Sequence, residues 1–287
     1  MKLEKLRVLP IIKAALKEDI GKGDITTTAL VDKTDSARAQ IVTREDCVVC
    51  GLEIAEWVMS QVDYSVRFKP NCQDGSLVGS GKEIAYIEGH TNSILRAERT
   101  MLNFLSFLSG ISTKTKKFSD KVSSYGVKIM DTRKTIPLMR YLEKYAVVAG
   151  GGSNHRMGLY DQVLIKDNHI QAQSSKLKAQ KLKTMVEAAR KKNLKDTVIE
   201  IEVATVEEFT DALSGSPDII MLDNMTLQNV KSCVEIRRLS KRKPLLEVSG
   251  GITIDTVEEF AKAKIDIISI GSLTASVESV DMSLEMI

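Results

Sequence analysis

An α/β fold is predicted for this 287-residue chain, with an α+β portion first and an alternating strand–helix portion after it. Three observations carry that expectation. Beyond residue 115, short apolar runs closed by polar residues alternate with helical patterns, a rhythm that suits parallel strands joined by right-handed crossovers. Polar groups fall at the carboxyl ends of those runs and no first strand–helix turn carries GxGxxG, which favours a barrel, with up to eight strands, over a doubly wound open sheet. Before residue 115, strand-like runs are separated by turn-forming clusters instead of helices.

Each element has its own signal. The opening MKLEKLRVLPIIKAALKEDIGKGD reads as an amphipathic helix ending near Gly21. ARAQIVT, DYSVRFK and GKEIAYIEG follow as strands, with turns at NCQDGS and GSG. Residues 93–118 form a long bridging helix, because Ile94, Ala97, Met101, Leu102, Leu105 and Leu108 recur at helical spacing. Six strands come next: VKIMDT, QVLIKDN, VIEIEV, DIIMLDN, PLLEVSGG and DIISIGS. KLKTMVEAARKKN, TVEEFTDAL, TLQNVKSCVEIRRL and TIDTVEEFAKAK are the helices between the later ones, and Thr205 and Glu208 are spaced as a capping box.

Composition narrows the functional classes. At 43% hydrophobic and 28% charged residues the chain can bury one large core or two smaller ones. No stretch approaches a membrane span, and the start lacks the apolar run of a leader, so a cytoplasmic protein is expected. Cys47 and Cys50 form a CxxC, but no second pair follows, and Cys72 and Cys233 stand alone. Two small core residues inside a strand are expected there, with no metal or redox role.

Positive charge is focused. Residues 96–169 carry thirteen Lys and Arg against six Asp and Glu, while the rest of the chain is net negative by four. Within residues 131–170, Arg133, Lys134, Arg140, Lys144, His155, Arg156 and Lys166 surround a triple glycine. Arginine pairs bidentately with carboxylate or phosphate, so this density points to a small polyanion rather than to a solvated face. Nucleic acid is disfavoured by a net charge of only +3, by 5% aromatic residues and by the lack of basic runs interleaved with stacking rings.

Asp131, Lys166, Glu202, Asp223, Glu247 and Ser249 all close strands, and a barrel collects such ends around one site. The ring is polarised, with cations from its first half and Glu202, Asp223 and Glu247 from its second. Acids at adjacent strand ends can hold Mg2+ through water or a substrate's phosphate oxygens. The glycines of EVSGGIT, between a strand and a helix expected near Thr253, can turn their amides to a phosphate, and SIGSLT repeats the arrangement.

Seven segments carry a family resemblance: ERTMLNFLSFLSGIST, DTRKT with Pro137 and Arg140, EKYAVVAGGGSNHR, LIKDNH, IEIEV, MLDN and EVSGG. In this order and spacing, together with EDIGKGDITT, they closely resemble the quinolinate phosphoribosyltransferases over nearly the whole chain. The resemblance implies the conversion of quinolinate and phosphoribosyl pyrophosphate into nicotinate mononucleotide, pyrophosphate and CO2, on the route to NAD. It also implies an N-terminal α/β sandwich domain joined to an open (β/α) barrel of TIM-like type with seven strands, one more than the six read above. The sandwich is then residues 1–114, joined by residues 274–287, and the barrel residues 115–273.

The same resemblance assigns roles. Arg133, His155, Arg156 and Lys166 surround the two carboxylates of quinolinate, and a homodimer supplies Arg99 from the partner subunit. Thr132 and Lys134 share the loop of Arg133, with Lys134 on substrate or on the ribosyl pyrophosphate. Glu202 and Asp223 hold ribose hydroxyls and the Mg2+ bound to pyrophosphate, so that Lys134, Glu202 and Asp223 form the catalytic set. Ser249, Gly250 and Gly251, with Gly271, Ser272 and Leu273, cradle the 5-phosphate.

Two departures from the family pattern stand out. DTRKTTPGLR reads DTRKTIPLMR, placing Ile136 and Leu138 in the loop, and GALTHS reads GSLTAS, placing Ala275 where a histidine is usual. Three rivals are a paralogous pyrophosphorylase associated with molybdenum transport, a non-catalytic barrel that senses NAD precursors, and an aldolase using Lys166. Retention of NHRMGL and LIKDNH opposes the first, retention of Glu202 and Asp223 the second, and the cationic setting of Lys166 beside Asp167 the third.

Overall fold

A computed structural model describes residues 1–174 and 182–287. In chain order the helices are α1 (Lys5–Ile20), α2 (Ile25–Leu30), α3 (Leu52–Val62), α4 (Thr91–Val122), α5 (Arg140–Ala149), α6 (Asp167–Ser174), α7 (Leu182–Lys192), α8 (Val206–Ser214), α9 (Leu227–Leu239), α10 (Val257–Lys262) and α11 (Ser272–Ala275). The strands are β1 (Ser36–Thr43), β2 (Cys47–Val48), β3 (Arg67–Pro70), β4 (Leu77–Val78), β5 (Glu83–His90), β6 (Lys128–Met130), β7 (Val163–Ile165), β8 (Ile199–Val203), β9 (Ile219–Asp223), β10 (Leu245–Ser249), β11 (Ile267–Ser269) and β12 (Met282–Met286). Lys181, which opens the expected helix KLKTMVEAARKKN, lies outside the described residues.

Two compact units divide the chain. The first comprises Met1–Lys116, Thr135–Gly151 and Leu273–Ile287; the second comprises Lys117–Lys134 and Gly152–Ser272. Sequence reading put residues 135–151 in the barrel, yet they group with the first unit. The reason is packing: the Ser112 hydroxyl donates to the Ala146 carbonyl at 2.8 Å and the Tyr145 hydroxyl to Asp74 at 2.8 Å.

The first unit holds a four-stranded antiparallel sheet in the order β12-β1-β5-β3 and a short β2–β4 pair. Ala39 and Ile41 of β1 and Ile84, Ala85 and Ile87 near and on β5 are buried. Ile94, Ala97, Met101, Leu102, Leu105 and Leu108 are all buried on α4, as their spacing requires. Cys47 and Cys50 are free and buried, and burial raises both thiols above their ordinary range, which suits the core reading.

The second unit is built on one parallel sheet in the order β6-β11-β10-β9-β8-β7. All six expected strands form. A parallel bridge between Met130 and Ser153 adds a rudiment beside β6, so the barrel is open and the seventh strand is reduced to one bridged residue. Ile199, Ile201 and Val203 alternate along β8 with Glu200 and Glu202, and register pairs Glu202 with Met221 and Met221 with Glu247. Hence acids point to one side of the sheet and branched apolar residues to the other.

Helix signals hold in kind more than in position. Thr205 accepts the Glu208 amide at 3.1 Å, but the Glu208 carboxylate reaches the Ala204 amide at 2.7 Å, one residue before the cap. The helix expected near Thr253 begins at Val257, because Thr253 and Thr256 bond in a turn first, with the Thr253 amide on the Thr256 hydroxyl at 3.1 Å.

Candidate active site

The second unit brings together Thr132, Arg133, Lys134, His155, Arg156, Lys166, Glu202, Asp223, Ser249, Gly250, Gly251, Gly271 and Ser272, all placed at or just beyond strand ends. Arg99 lies on α4 in the first unit, exposed, on a cavity of about 940 Å³ lined also by Asn103, Phe107, Ile136 and Met139. Leu273 also groups with the first unit. Of the remaining cations in residues 131–170, Arg140 and Lys144 belong to α5 in that unit: Arg140 donates to the Thr135 hydroxyl at 3.0 Å and Lys144 is fully buried.

The cationic half is set by the stretch after β6. Ser153 donates its amide to the Ile129 carbonyl at 2.8 Å, and the buried Asp131 carboxylate accepts the His155 amide at 2.9 Å. This anchors the SNHR segment against the strand end and turns Arg156 inward, where it is only 6% exposed. Burial, and then the neighbouring Arg133 charge, hold the Arg156 guanidinium below its ordinary pKa, against the pull of Glu200 and Asp161. Two neighbouring guanidiniums of this kind form a fork suited to an anion.

The His155 ring accepts the Arg156 amide on Nδ1 at 2.8 Å, and Nε2 lies 3.1 Å from Glu200 Oε2 and 3.6 Å from Glu247 Oε1. The imidazole therefore faces two buried acids. Glu247 is likewise buried in the interior instead of lying open at the strand end. Burial, and then the nearby Glu200 charge, push its pKa up to about 8.

The acidic half is more open. Lys166 Nζ donates to Glu202 Oε2 at 2.9 Å, joining the two halves by an ion pair. Asp223 accepts the Asn224 side-chain amide at 2.7 Å, and the Asn224 backbone amide donates to the Ser249 carbonyl at 2.9 Å. Asn224 has a left-handed φ of 51° and packs over Gly250, whose own φ is 92°; a Cβ there would collide with the Asn224 side-chain amide. Gly271 serves a second close approach, since a Cβ would come 3.0 Å from Cδ of Lys134 and 3.5 Å from the Thr132 hydroxyl. The glycines at 250 and 251 are thus called for by backbone conformation, α10 beginning only at Val257.

Residues 24–109 match the family model described as quinolinate phosphoribosyl transferase, N-terminal domain, and residues 111–285 match the C-terminal domain of the same family. This chain belongs to the quinolinate phosphoribosyltransferase family. It is 40% identical to a probable nicotinate-nucleotide pyrophosphorylase [carboxylating] of Methanocaldococcus jannaschii, over 97% of each chain. It is 38% identical to the chloroplastic nicotinate-nucleotide pyrophosphorylase [carboxylating] of Arabidopsis thaliana, over 96% of this chain and 82% of that one. The solved nicotinate-nucleotide pyrophosphorylase of Francisella tularensis superposes with a TM-score of 0.91 at 37% identity, covering 100% and 98% of the two chains. The family resemblance read from the motifs, and the open α/β barrel it implied, are both borne out.

Glu200, Gln162 and Asn224 escaped sequence reading. Glu200 had a signal: in IEIEV it stands two residues before Glu202, so both side chains leave the strand on the same side. Gln162 and Asn224 had none beyond their position beside named residues.

Proposed function

We propose that this protein transfers the phosphoribosyl group of phosphoribosyl pyrophosphate to the ring nitrogen of quinolinate and releases the 2-carboxylate as CO2, giving nicotinate mononucleotide and pyrophosphate. The observation that supports the reading is Arg156, buried with Arg133 as its neighbour, in the same unit as Glu202, Asp223 and the left-handed Gly250 and Gly251. A dianion answers the first feature and a phosphorylated sugar the second.

In this reading Arg133, Arg156 and Lys166 hold the carboxylates of quinolinate, with His155 acting behind Arg156. Lys134 and Thr132, packed at Gly271, lie where the ribosyl pyrophosphate is held. Gly250, Gly251, Ser249, Gly271, Ser272 and Leu273 surround the 5-phosphate, while Glu202 and Asp223 take the ribose hydroxyls. Glu202 and Asp223 offer carboxylate oxygens, which suit a hard cation; a Mg2+ held there would supply positive charge against the pyrophosphate leaving group. As the bond from the pyridine nitrogen to C1 forms, the bond from C1 to the pyrophosphate oxygen breaks, and the nearby carboxylates favour the cationic sugar. The pyridinium then accepts the electrons freed as the bond from C2 to its carboxylate breaks, and C2 takes up a proton.

Lys166 Nζ is engaged by the Glu202 carboxylate at 2.9 Å, whereas a Schiff-base aldolase needs its lysine free to attack a carbonyl. The same reading carries a cytoplasmic homodimer in which Arg99 completes the site of the partner subunit. Its test is an assay of the purified protein with Mg2+, phosphoribosyl pyrophosphate and quinolinate, with nicotinate in parallel. Nicotinate mononucleotide is expected from quinolinate alone; no product from either acceptor overturns the reading. Mixing Arg99→Ala with Lys166→Ala subunits is expected to restore activity through one intact site per hybrid, and unchanged inactivity of the mixture excludes the donated arginine.

A further inference from the structure

Beneath the strand-end ring lies a group of ionisable side chains to which the reaction above gives no direct task. The side chains of His155, Glu200 and Glu247 are 7%, 0% and 0% exposed, and one nitrogen or oxygen from each lies within 4.8 Å of the others. Because the Arg156 amide donates to Nδ1 of His155, that nitrogen presents its lone pair, and the ring hydrogen sits on Nε2, toward the two acids. The Gln162 side-chain amide donates to the same Oε2 of Glu200 that His155 approaches. Glu200 therefore accepts one side-chain hydrogen bond on Oε2, with His155 Nε2 at 3.1 Å from the same oxygen.

Glu247 does not. Neither of its oxygens makes a hydrogen bond, although the Ser269 hydroxyl and the Lys166 ammonium are close enough to favour its ionised form. Lys166, however, is already paired with Glu202. Two carboxylates sharing one imidazole N–H in a dry interior cannot both stay charged; one keeps a proton or a cation joins them. A metal ion on Nε2 is opposed by the geometry, since a metallated histidine carries its hydrogen on the other nitrogen, and here that nitrogen accepts.

We propose that Glu200 and Glu247 are positioning residues, Glu247 as a neutral carboxylic acid, that flank His155 and, through Gln162, fix Arg156 for an incoming substrate carboxylate. The connections are continuous. Glu200 accepts the Gln162 side-chain amide and lies 3.1 Å from the His155 ring; the His155 ring accepts the Arg156 amide; and the Gln162 backbone carbonyl accepts Nη1 of Arg156 at 3.2 Å. Asp131 closes the set through the His155 amide. Arg156 is thus tied at backbone and guanidinium to one buried frame, which fixes its direction before substrate arrives. Burial raises the Glu247 acid well above the ordinary carboxyl range, in keeping with its neutral role.

The role in substrate binding rests on the function proposed above, but the neutral acid does not, so the two can fail separately. Infrared difference spectra of the whole protein at neutral pH are expected to show a carboxylic acid C=O band that vanishes in Glu247→Gln. Calorimetry with quinolinate is expected to show Glu247→Gln binding within about threefold of the parent, because an amide replaces a neutral acid, and Glu200→Gln binding at least about tenfold more weakly. Phosphoribosyl pyrophosphate affinity should not change in either, which a general loss of structure would not allow. If Glu200→Gln does not fold, Gln162→Ala, which cuts the same frame, is expected to show the same selective loss. No band in the parent, a band that survives in Glu247→Gln, a stoichiometric divalent metal in the acid-digested protein, or unchanged quinolinate affinity in Glu200→Gln and Gln162→Ala each overturns the proposal. A parent that shows the band but binds no quinolinate sinks the proposed reaction and leaves the neutral acid standing.

Discussion

Under the proposed reaction, the two halves of the strand-end ring recognise negative charge by different means. On the cationic side, side chains do the work, and their direction comes from burial: Arg156 is tied into a frame of Asp131, His155, Glu200 and Gln162. On the other side the backbone is given the task, through left-handed residues at Asn224, Gly250 and Gly251. A long flexible cation must be immobilised before it can distinguish one carboxylate geometry from another. A peptide amide in a left-handed turn is immobilised already, so the acidic half can remain open and lightly packed.

Breaking the cationic side should have the largest effect. Arg133→Ala or Lys166→Ala is expected to lower quinolinate affinity by about a hundredfold or more while leaving the fold intact, because a fixed charge partner is lost. Calorimetry checks this, and retained affinity contradicts the assignment of that half. Glu202→Ala, by contrast, should impair use of phosphoribosyl pyrophosphate and Mg2+ and spare quinolinate binding.

The frame beneath Arg156 should show itself in stability against pH. With the folded pKa of Glu247 raised to about 8 from an ordinary 4.5, the unfolded chain loses that proton first, and the folded state is penalised as pH rises between those values. Below this window the group contributes no penalty, and above it the penalty is constant. Glu247→Gln should therefore gain progressively on the parent from pH 5 to pH 8 in urea unfolding. A gap that is flat across that range would mean that Glu247 is ionised in the folded protein.

On the backbone side, Gly250→Ala should cost about 2 kcal/mol of stability, since alanine resists a φ of 92° and its Cβ meets Asn224. It should also raise the KM for phosphoribosyl pyrophosphate more than that for quinolinate, a split readable in steady-state kinetics. Smallest of all is Leu138→Gly. Leu138 is 87% exposed at a φ of 69°, so glycine should relieve strain worth up to about 1 kcal/mol, partly offset by its freedom in the unfolded chain. A fall in melting temperature would show that the leucine has a packing partner.

Much of the fold was legible from local pattern. The six parallel strands, the long amphipathic α4 and the capping role of Thr205 follow from periodicity and short-range hydrogen bonding, which act within a few residues. The ring of strand-end cations, acids and glycines was legible for the same reason: each follows a strand whose end the sequence marks.

What only tertiary structure decided was depth and company. Glu202 and Glu247 look alike as strand acids, yet one meets Lys166 near the mouth and the other is sealed below with Glu200 and His155. His155 reads as one more cation, and its turn toward the interior depends on residues 200 and 247, far away along the chain. Residues 135–151 carry the same basic signal as their neighbours but pack with Ser112 and Asp74. Periodicity tells which side of a strand a residue leaves from; how far from water that side lies, and which charge waits there, is set by strands brought together from distant parts of the sequence.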